Sequence, residues 1–166
     1  MRAAIALLAR RDYGRSELAQ RLLRRTQTPE SSARHEHVDR TVFTALSERR
    51  ARSVAAIEQV LDALQAKGLL SEARFANEFI RARAARFGPV RLRHELLRRG
   101  VQEDLIESAL VGQQQDEYAR ALALWQQRFG AVANEARERA RQARFLAARG
   151  FSHEVVRRVV SGKDQD

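Results

Sequence analysis

The chain has 166 residues, 44% of them hydrophobic and 31% charged, which suits one or two small globular units and excludes disorder on composition. There is no cysteine, so disulfides, iron–sulfur clusters and cysteine zinc sites are excluded, and a reducing, cytoplasmic setting is the expectation. The net charge of +10 comes from 31 Lys+Arg against 21 Asp+Glu, nearly all of the basic residues being arginine; this favours a polyanionic partner or an acidic protein surface and leaves the fold open.

The opening MRAAIALLARR has a charge followed by an apolar run, as a signal peptide does. That run is short, two arginines close it and no small-residue cleavage site follows. The expectation is instead an amphipathic helix over residues 3–12, with Ile5 and Leu8 on its stripe and its end at Tyr13-Gly14. No apolar run approaches the roughly 20 residues needed to span a bilayer, so no membrane partner is expected. A second helix is predicted over 15–25, where Leu18 and Leu22 share a face and Leu23 lies beside them.

From Thr26 to Ser53 the pattern weakens. TQTPESS reads as a turn with Pro29 as breaker and Ser31 or Ser32 as the next N-cap. Val38, Val42, Phe43 and Leu46 then recur at helical spacing. One long helix from there onward and a helix broken near Ala51 to Ser53 are equally compatible with the residues. Ile57, Val60, Leu61 and Leu64 form an i, i+3, i+4, i+7 stripe that ends at Lys67-Gly68.

The stretch from Ser71 to Val111 organises the rest. It reads as three short helices, with breaks at Gly88-Pro89 and at Gly100. Ser71 is the expected cap, with Glu72 in the first turn. Glycine ends a helix cheaply because it tolerates positive φ, and proline suits the first turn of the next. The apolar stripes are Phe75, Phe79 and Ile80; then Leu92, Leu96 and Leu97; then Leu105, Ile106, Ala109 and Leu110. After Val111 a polar linker, GQQQDE, leads to a predicted helix over 116–128 carrying Leu122, Leu124 and Trp125 and ending at Phe129-Gly130. Another is predicted over 136–149, ending at Gly150, and a last one from Ser152 with Val155, Val156, Val159 and Val160.

The order of these parts repeats. Tyr13-Gly14, Phe87-Gly88 and Phe129-Gly130 read as three aromatic–glycine helix ends, and eight residues before each aromatic stand Ile5, Phe79 and Ala121. Leu18 and Leu22 follow the first glycine at the same offsets as Leu92 and Leu96 follow the second. The third unit carries about eight extra residues between its glycines and then rejoins: Gly100-Val101, Ile106 and Leu110 match Gly150-Phe151, Val156 and Val160. The reading is an all-α fold of about nine helices in tandem three-helix repeats, over 1–70 with an insertion at 26–53, 71–112 and 113–162, before a tail at 163–166. Each repeat would touch mainly its neighbours, giving an elongated body that curves if each turns slightly on the last.

The residues Phe75-Ala76-x-x-Phe79-Ile80, then Arg83, Gly88, Leu92, Glu95-Leu96, Arg99-Gly100-Val101, Ile106 and Ala109-Leu110, resemble the RecX family, bacterial regulators of the RecA recombinase. Glu72 holds an acidic position where that family often has aspartate. Phe145-Leu146 with Arg149-Gly150-Phe151 is a second match, and Leu7 to Arg11 through Leu22 is a looser one. Order and spacing carry the resemblance, which is poorest over 26–53. It implies tandem three-helix repeats, no catalysis and no cofactor. It also implies a protein that lodges along the RecA filament and limits its growth, ATP hydrolysis and strand exchange; apart from the resemblance, a monomer is the expectation.

Arginines are the candidate contacts. Arg74 to Gly100 holds eight against Glu78 and Glu95; Arg137 to Arg158 holds seven (137, 139, 141, 144, 149, 157, 158) against Glu138 and Glu154. Arg81, Arg86, Arg91, Arg93, Arg98, Arg99, Arg149, Arg157 and Arg158 are the expected partner-binding set, with Arg91, Glu95 and Arg98 on one face of their helix. For Arg83, one turn from Phe79, the alternative to a partner contact is a structural role, paired with a buried carbonyl. His35 and His37 have poor ligand spacing and His94 and His153 are isolated, so no metal site is expected. Trp125 and the phenylalanines read as core, and no phosphate loop or nucleophile motif is present. The competing reading is a helical protein that binds single- or double-stranded DNA without RecA.

Overall fold

The computed structural model describes residues 1–26, 40–111 and 116–162. Among these there are nine helices and no strand: α1 (Arg2–Leu8), α2 (Arg15–Thr26), α3 (Arg40–Ala66), α4 (Glu72–Arg83), α5 (Pro89–Leu97), α6 (Glu103–Val111), α7 (Glu117–Phe129), α8 (Ala136–Ala147) and α9 (His153–Ser161). The expected turn at Pro29, the cap at Ser31 or Ser32, His35, His37, Val38, most of the GQQQDE linker and the tail lie outside the described residues. No helix among the described residues is long and apolar enough to cross a membrane. The chain divides into two compact units, Met1–Glu72 and Ala73–Asp166.

In the first unit α1 stops at Leu8, well short of Tyr13, and buries Ala4 and Leu7; Ile5 is 44% exposed. Five residues (9–13) part α1 from Gly14, whereas four (84–87) part α4 from Gly88. Measured from its helix end, Ala4 therefore stands where Phe79 stands in α4, and counting back from the aromatic misses by one. Leu18 and Leu22 of α2 pack against Ile57, Leu61 and Leu64 of α3, with Tyr13 and Leu70 closing the core. Arg15, at the start of α2, reaches Asp62 at 2.7 Å, Glu58 and Gln65 of α3. Burial pulls the Arg15 pKa down, but the hydrogen bonds to Asp62 and Glu58 outweigh it and leave the group above its ordinary value.

α3 runs unbroken through Ala51 to Ser53, which decides between the two sequence readings. No glycine or proline there interrupts the hydrogen-bond ladder. Residues 44–52 are exposed, Leu46 at 52%, so among residues 44–66 of this helix the core positions lie in its C-terminal half.

The second unit holds two cores. α4–α6 close around Phe75, Phe79, Ile80, Leu92, Leu96 and Ile106; α7–α9 close around Trp125, Leu146, Phe151, Val156 and Val159. Leu97 is 39% exposed and so falls off the stripe assigned to it. The equivalent positions are buried alike: Leu96 with Leu146, Val101 with Phe151, Ile106 with Val156 and Leu110 with Val160. The turns match bond for bond. Val101 N–H donates to the Leu96 carbonyl at 3.2 Å and Phe151 N–H to that of Leu146 at 3.3 Å, while Gly100 and Gly150 each donate three residues back at 2.9 Å. Both are Schellman caps, which need the left-handed conformation at the glycine (φ +77° and +79°). Leu69 N–H to Leu64 at 2.9 Å, after Gly68, ends α3 in the same way.

Gly88 is different. It precedes α5 as its N-cap at φ −78°, so the expected reason for a glycine there, positive φ, does not hold. The reason is close approach. Gly88 N–H donates to the Arg149 carbonyl at 2.9 Å, and Val90 N–H to the Gly150 carbonyl at 3.1 Å. A Cβ on Gly88 would lie 2.2 Å from the Gly150 oxygen, and one on Gly150 would lie 2.4 Å from Cβ of Arg91. Backbone is thus clasped to backbone between the two cores, which only side-chain-free positions permit. The three aromatic–glycine positions are accordingly not all helix ends: Gly14 and Gly88 directly precede α2 and α5, whereas Gly130 closes α7 at φ +78°.

The eight extra residues of the third repeat can be placed. Five (131–135) form a loop after Gly130, where α5 starts directly at Pro89, and three lengthen α8 to 12 residues against 9 in α5. Side chains hold that loop. Arg139 donates to the carbonyls of Ala133 (3.0 Å) and Asn134 (2.6 Å), and Gln142 Nε2 to that of Ala131 (3.1 Å). Gln142 Oε1 also accepts from Trp125 Nε1 at 3.1 Å, which satisfies the indole of a fully buried tryptophan.

Candidate partner-binding surface

The candidate arginines fall into three environments. Those in the first are paired with carboxylates. Arg81, 77% exposed at its side chain, meets Glu78 at 2.7 Å. Arg91 Nε meets Glu95 Oε1 at 3.1 Å, and Arg99 approaches Glu95 Oε2 at 3.7 Å. Glu95 therefore engages Arg91 within α5 and Arg99 just past its end, while Arg98, expected on the same face as Arg91 and Glu95, enters no ion pair among the described residues. Arg93 bridges α5 to α6 through Glu107 at 3.3 Å and Glu103. Such half-exposed pairs stabilise by only about 0.3–0.5 kcal/mol each, and they leave little uncompensated charge.

The second environment is aromatic. Arg83 and Arg99 lie over the Phe79 ring at 4.0 and 4.6 Å, and Arg91 lies over Phe87 at 4.0 Å. Arg149 lies over Phe145 at 3.6 Å and Arg158 over Tyr118 at 4.2 Å. Arg99 and Arg149 occupy equivalent positions, each one residue before a turn glycine, and each donates to the carbonyl four residues back, Glu95 at 2.8 Å and Phe145 at 3.1 Å. They cap the helix carbonyls of the turn and are structural parts of the repeat. Arg83 makes its contact with the Phe79 ring, where the structural alternative had a buried carbonyl as its partner.

In the third environment stand Arg86, Arg98 and Arg157. All three are exposed and enter none of the ion pairs among the described residues. Arg144, outside the expected set, shares this condition. The clasp places Arg91 beside Arg149-Gly150, so two candidates from separate repeats stand together at the junction.

Buried polar groups were less legible. Glu117, 8% exposed at the start of α7, accepts from Ser152 N–H at 2.7 Å and from Ser152 Oγ at 3.2 Å, and so ties α7 to the start of α9. Ser152 in turn accepts from Val155 N–H at 3.4 Å, as an N-cap does. In the sequence Glu117 is one more residue of a polar linker, with nothing to mark it. The indole of Trp125 is the one signal that a buried acceptor such as Gln142 is required. Burial lowers the Arg120 pKa, with Asp116 and Glu117 opposing. No group of three or more metal-ligating side chains is present among the described residues.

Comparison with known proteins decides the family. Models described as the second and third three-helix domains of RecX match residues 71–110 and 115–160. The regulatory protein RecX of Leptothrix cholodnii is 40% identical over 98% of this chain and 88% of its own length. The chain belongs to the RecX family. Regulatory protein RecX of Pseudomonas entomophila is 39% identical over 98% of this chain and 90% of its own. The crystal structure of RecX from Lactobacillus salivarius superposes with a TM-score of 0.70, covering 99% of this chain and 94% of that one at 15% identity. At that identity the likeness concerns the fold, and it agrees with the all-α, three-helix reading.

Proposed function

We propose that this RecX-family chain is a non-enzymatic regulator that binds the RecA filament and restrains its ATPase, growth and strand exchange. The observation that carries the reading is similarity over nearly the whole chain to proteins named regulatory protein RecX. The arginine surface supports it. Arg86, Arg98 and Arg157 lack carboxylate partners among the described residues and are available to an acidic protein face or a phosphate backbone. The clasp joins two three-helix cores, so contacts on both would reach neighbouring protomers from one body and gain avidity. Such a binder shifts the filament through its differential affinity for filament states.

The test is the DNA-dependent ATPase of the cognate RecA with the chain added well below one molecule per protomer. Inhibition at that ratio is expected. An unaffected ATPase, alongside salt-sensitive binding to bare DNA, would replace this reading with the DNA-binding one.

A further inference from the structure

α8 and α9 leave a shallow groove of about 500 Å³ between them on the third core. Its floor is apolar: Ala140, Ala143 and Ala147 from α8, Val156 and Val160 from α9. The alanines recur at i, i+3 and i+7 along one side of α8, so a third helix could approach closely. Its rim is cationic. Arg139, Arg144 and Arg157 line it with His153, and no carboxylate does. Glu138, the one acid within α8, is paired with Arg141 and lines with Glu135 and Arg144 a separate pocket, and Glu154 of α9 follows His153 in the chain but does not line this groove.

We propose that this groove docks an amphipathic acidic helix of a partner protein, with its apolar side chains on the alanine–valine floor and its carboxylates toward the arginine rim. Two features select that occupant. A phosphate backbone would gain from the rim and nothing from the floor, whereas an acidic amphipathic helix uses both. A second copy of this chain, at a net charge of +10, would bring more positive charge to a positive rim. Arg139 is held in place by its bonds to Ala133 and Asn134, so the loop peculiar to the third repeat preorganises one side of the rim. The inference holds whichever protein supplies the helix and does not rest on the recombinase reading.

The probe is a fluorescein-labelled, helix-forming peptide of about 16 residues, leucines on one face and glutamates on the flanks, titrated into the full chain by anisotropy. Saturable binding with Kd of about 10–100 μM is expected, weakening several-fold as salt is raised. Ala140→Glu, at an exposed floor position, should weaken it at least about tenfold, and Arg144→Ala with Arg157→Ala several-fold. The thermal unfolding of these variants checks that they remain folded. Absence of saturation below about 1 mM would overturn the proposal. So would indifference to Ala140→Glu in a folded variant, equal binding of the peptide with lysines for glutamates, displacement by a single-stranded oligonucleotide, or self-association that Ala140→Glu abolishes.

Discussion

The cores formed by α4–α6 and α7–α9 share a turn, a burial register and a capping arginine, yet they present their charge differently. In the former, Glu95, Glu103 and Glu107 engage Arg91, Arg93 and Arg99. In the latter, Arg149 is spent on a carbonyl and the Phe145 ring, and Arg144 and Arg157, in no ion pair among the described residues, line an apolar groove. A repeat therefore conserves what closes its core, while its surface is free to diverge. Two segments with similar arginine counts thus differ less in how many arginines stay unpaired among the described residues, Arg86 and Arg98 in the one and Arg144 and Arg157 in the other, than in what lies beside them.

The largest effect should come from breaking what joins the two cores. Gly88→Val would drive side-chain atoms into the Gly150 carbonyl, where neither backbone can yield. A loss of more than about 4 kcal/mol in urea unfolding is expected, with fast hydrogen exchange at the Val90 amide. A variant as stable as the parent would mean that the clasp does not hold the cores together. The equivalence of the cores is sharpened by Leu96→Ala and Leu146→Ala. Both side chains are fully buried at the same step of the turn, and each substitution should cost about 2–5 kcal/mol. A large gap between them would show that burial matches where packing does not.

Gly68→Ala separates the two reasons for a glycine. It sits at φ +66° with nothing within 4 Å of an added Cβ, so only the left-handed conformation is penalised, by about 1–2 kcal/mol. Arg99→Ala and Arg149→Ala should each cost about 1 kcal/mol, through the lost carbonyl bond and ring contact. Arg98→Ala and Arg157→Ala, the smallest in stability, should shift unfolding by less than about 0.5 kcal/mol. Under the proposed function these two, and not the capping pair, weaken ATPase inhibition without touching the fold.

Much of this was legible beforehand. Leu18, Leu22, Leu61, Leu92 and Ile106 lie on the faces their spacing assigned, because a helix that cannot bury its stripe alone leaves that stripe in the residue pattern. Gly100 and Gly150 ended helices as expected, because a Schellman cap is a local demand on one residue's φ. The register of α1 failed because loop length shifts the stripe by one, and Ile5 and Ala4 are both plausible helix residues. The environments of the candidate arginines were the least legible. Any of them can be free, stacked or paired, and the choice depends on carboxylates and rings that other helices bring near.

By itself, then, the sequence determined the all-α class, the order of the helices and most of the core-facing residues, Ile5 and Leu97 excepted, since each depends on spacing along the chain. Only the tertiary structure decided that Gly88 is needed for a backbone clasp and not for its φ, and that Arg99 and Arg149 cap turns. It alone set Arg144 and Arg157 along an apolar groove. Those facts depend on atoms far apart in the chain, and helical periodicity carries no information about which distant group a glycine or an arginine will meet.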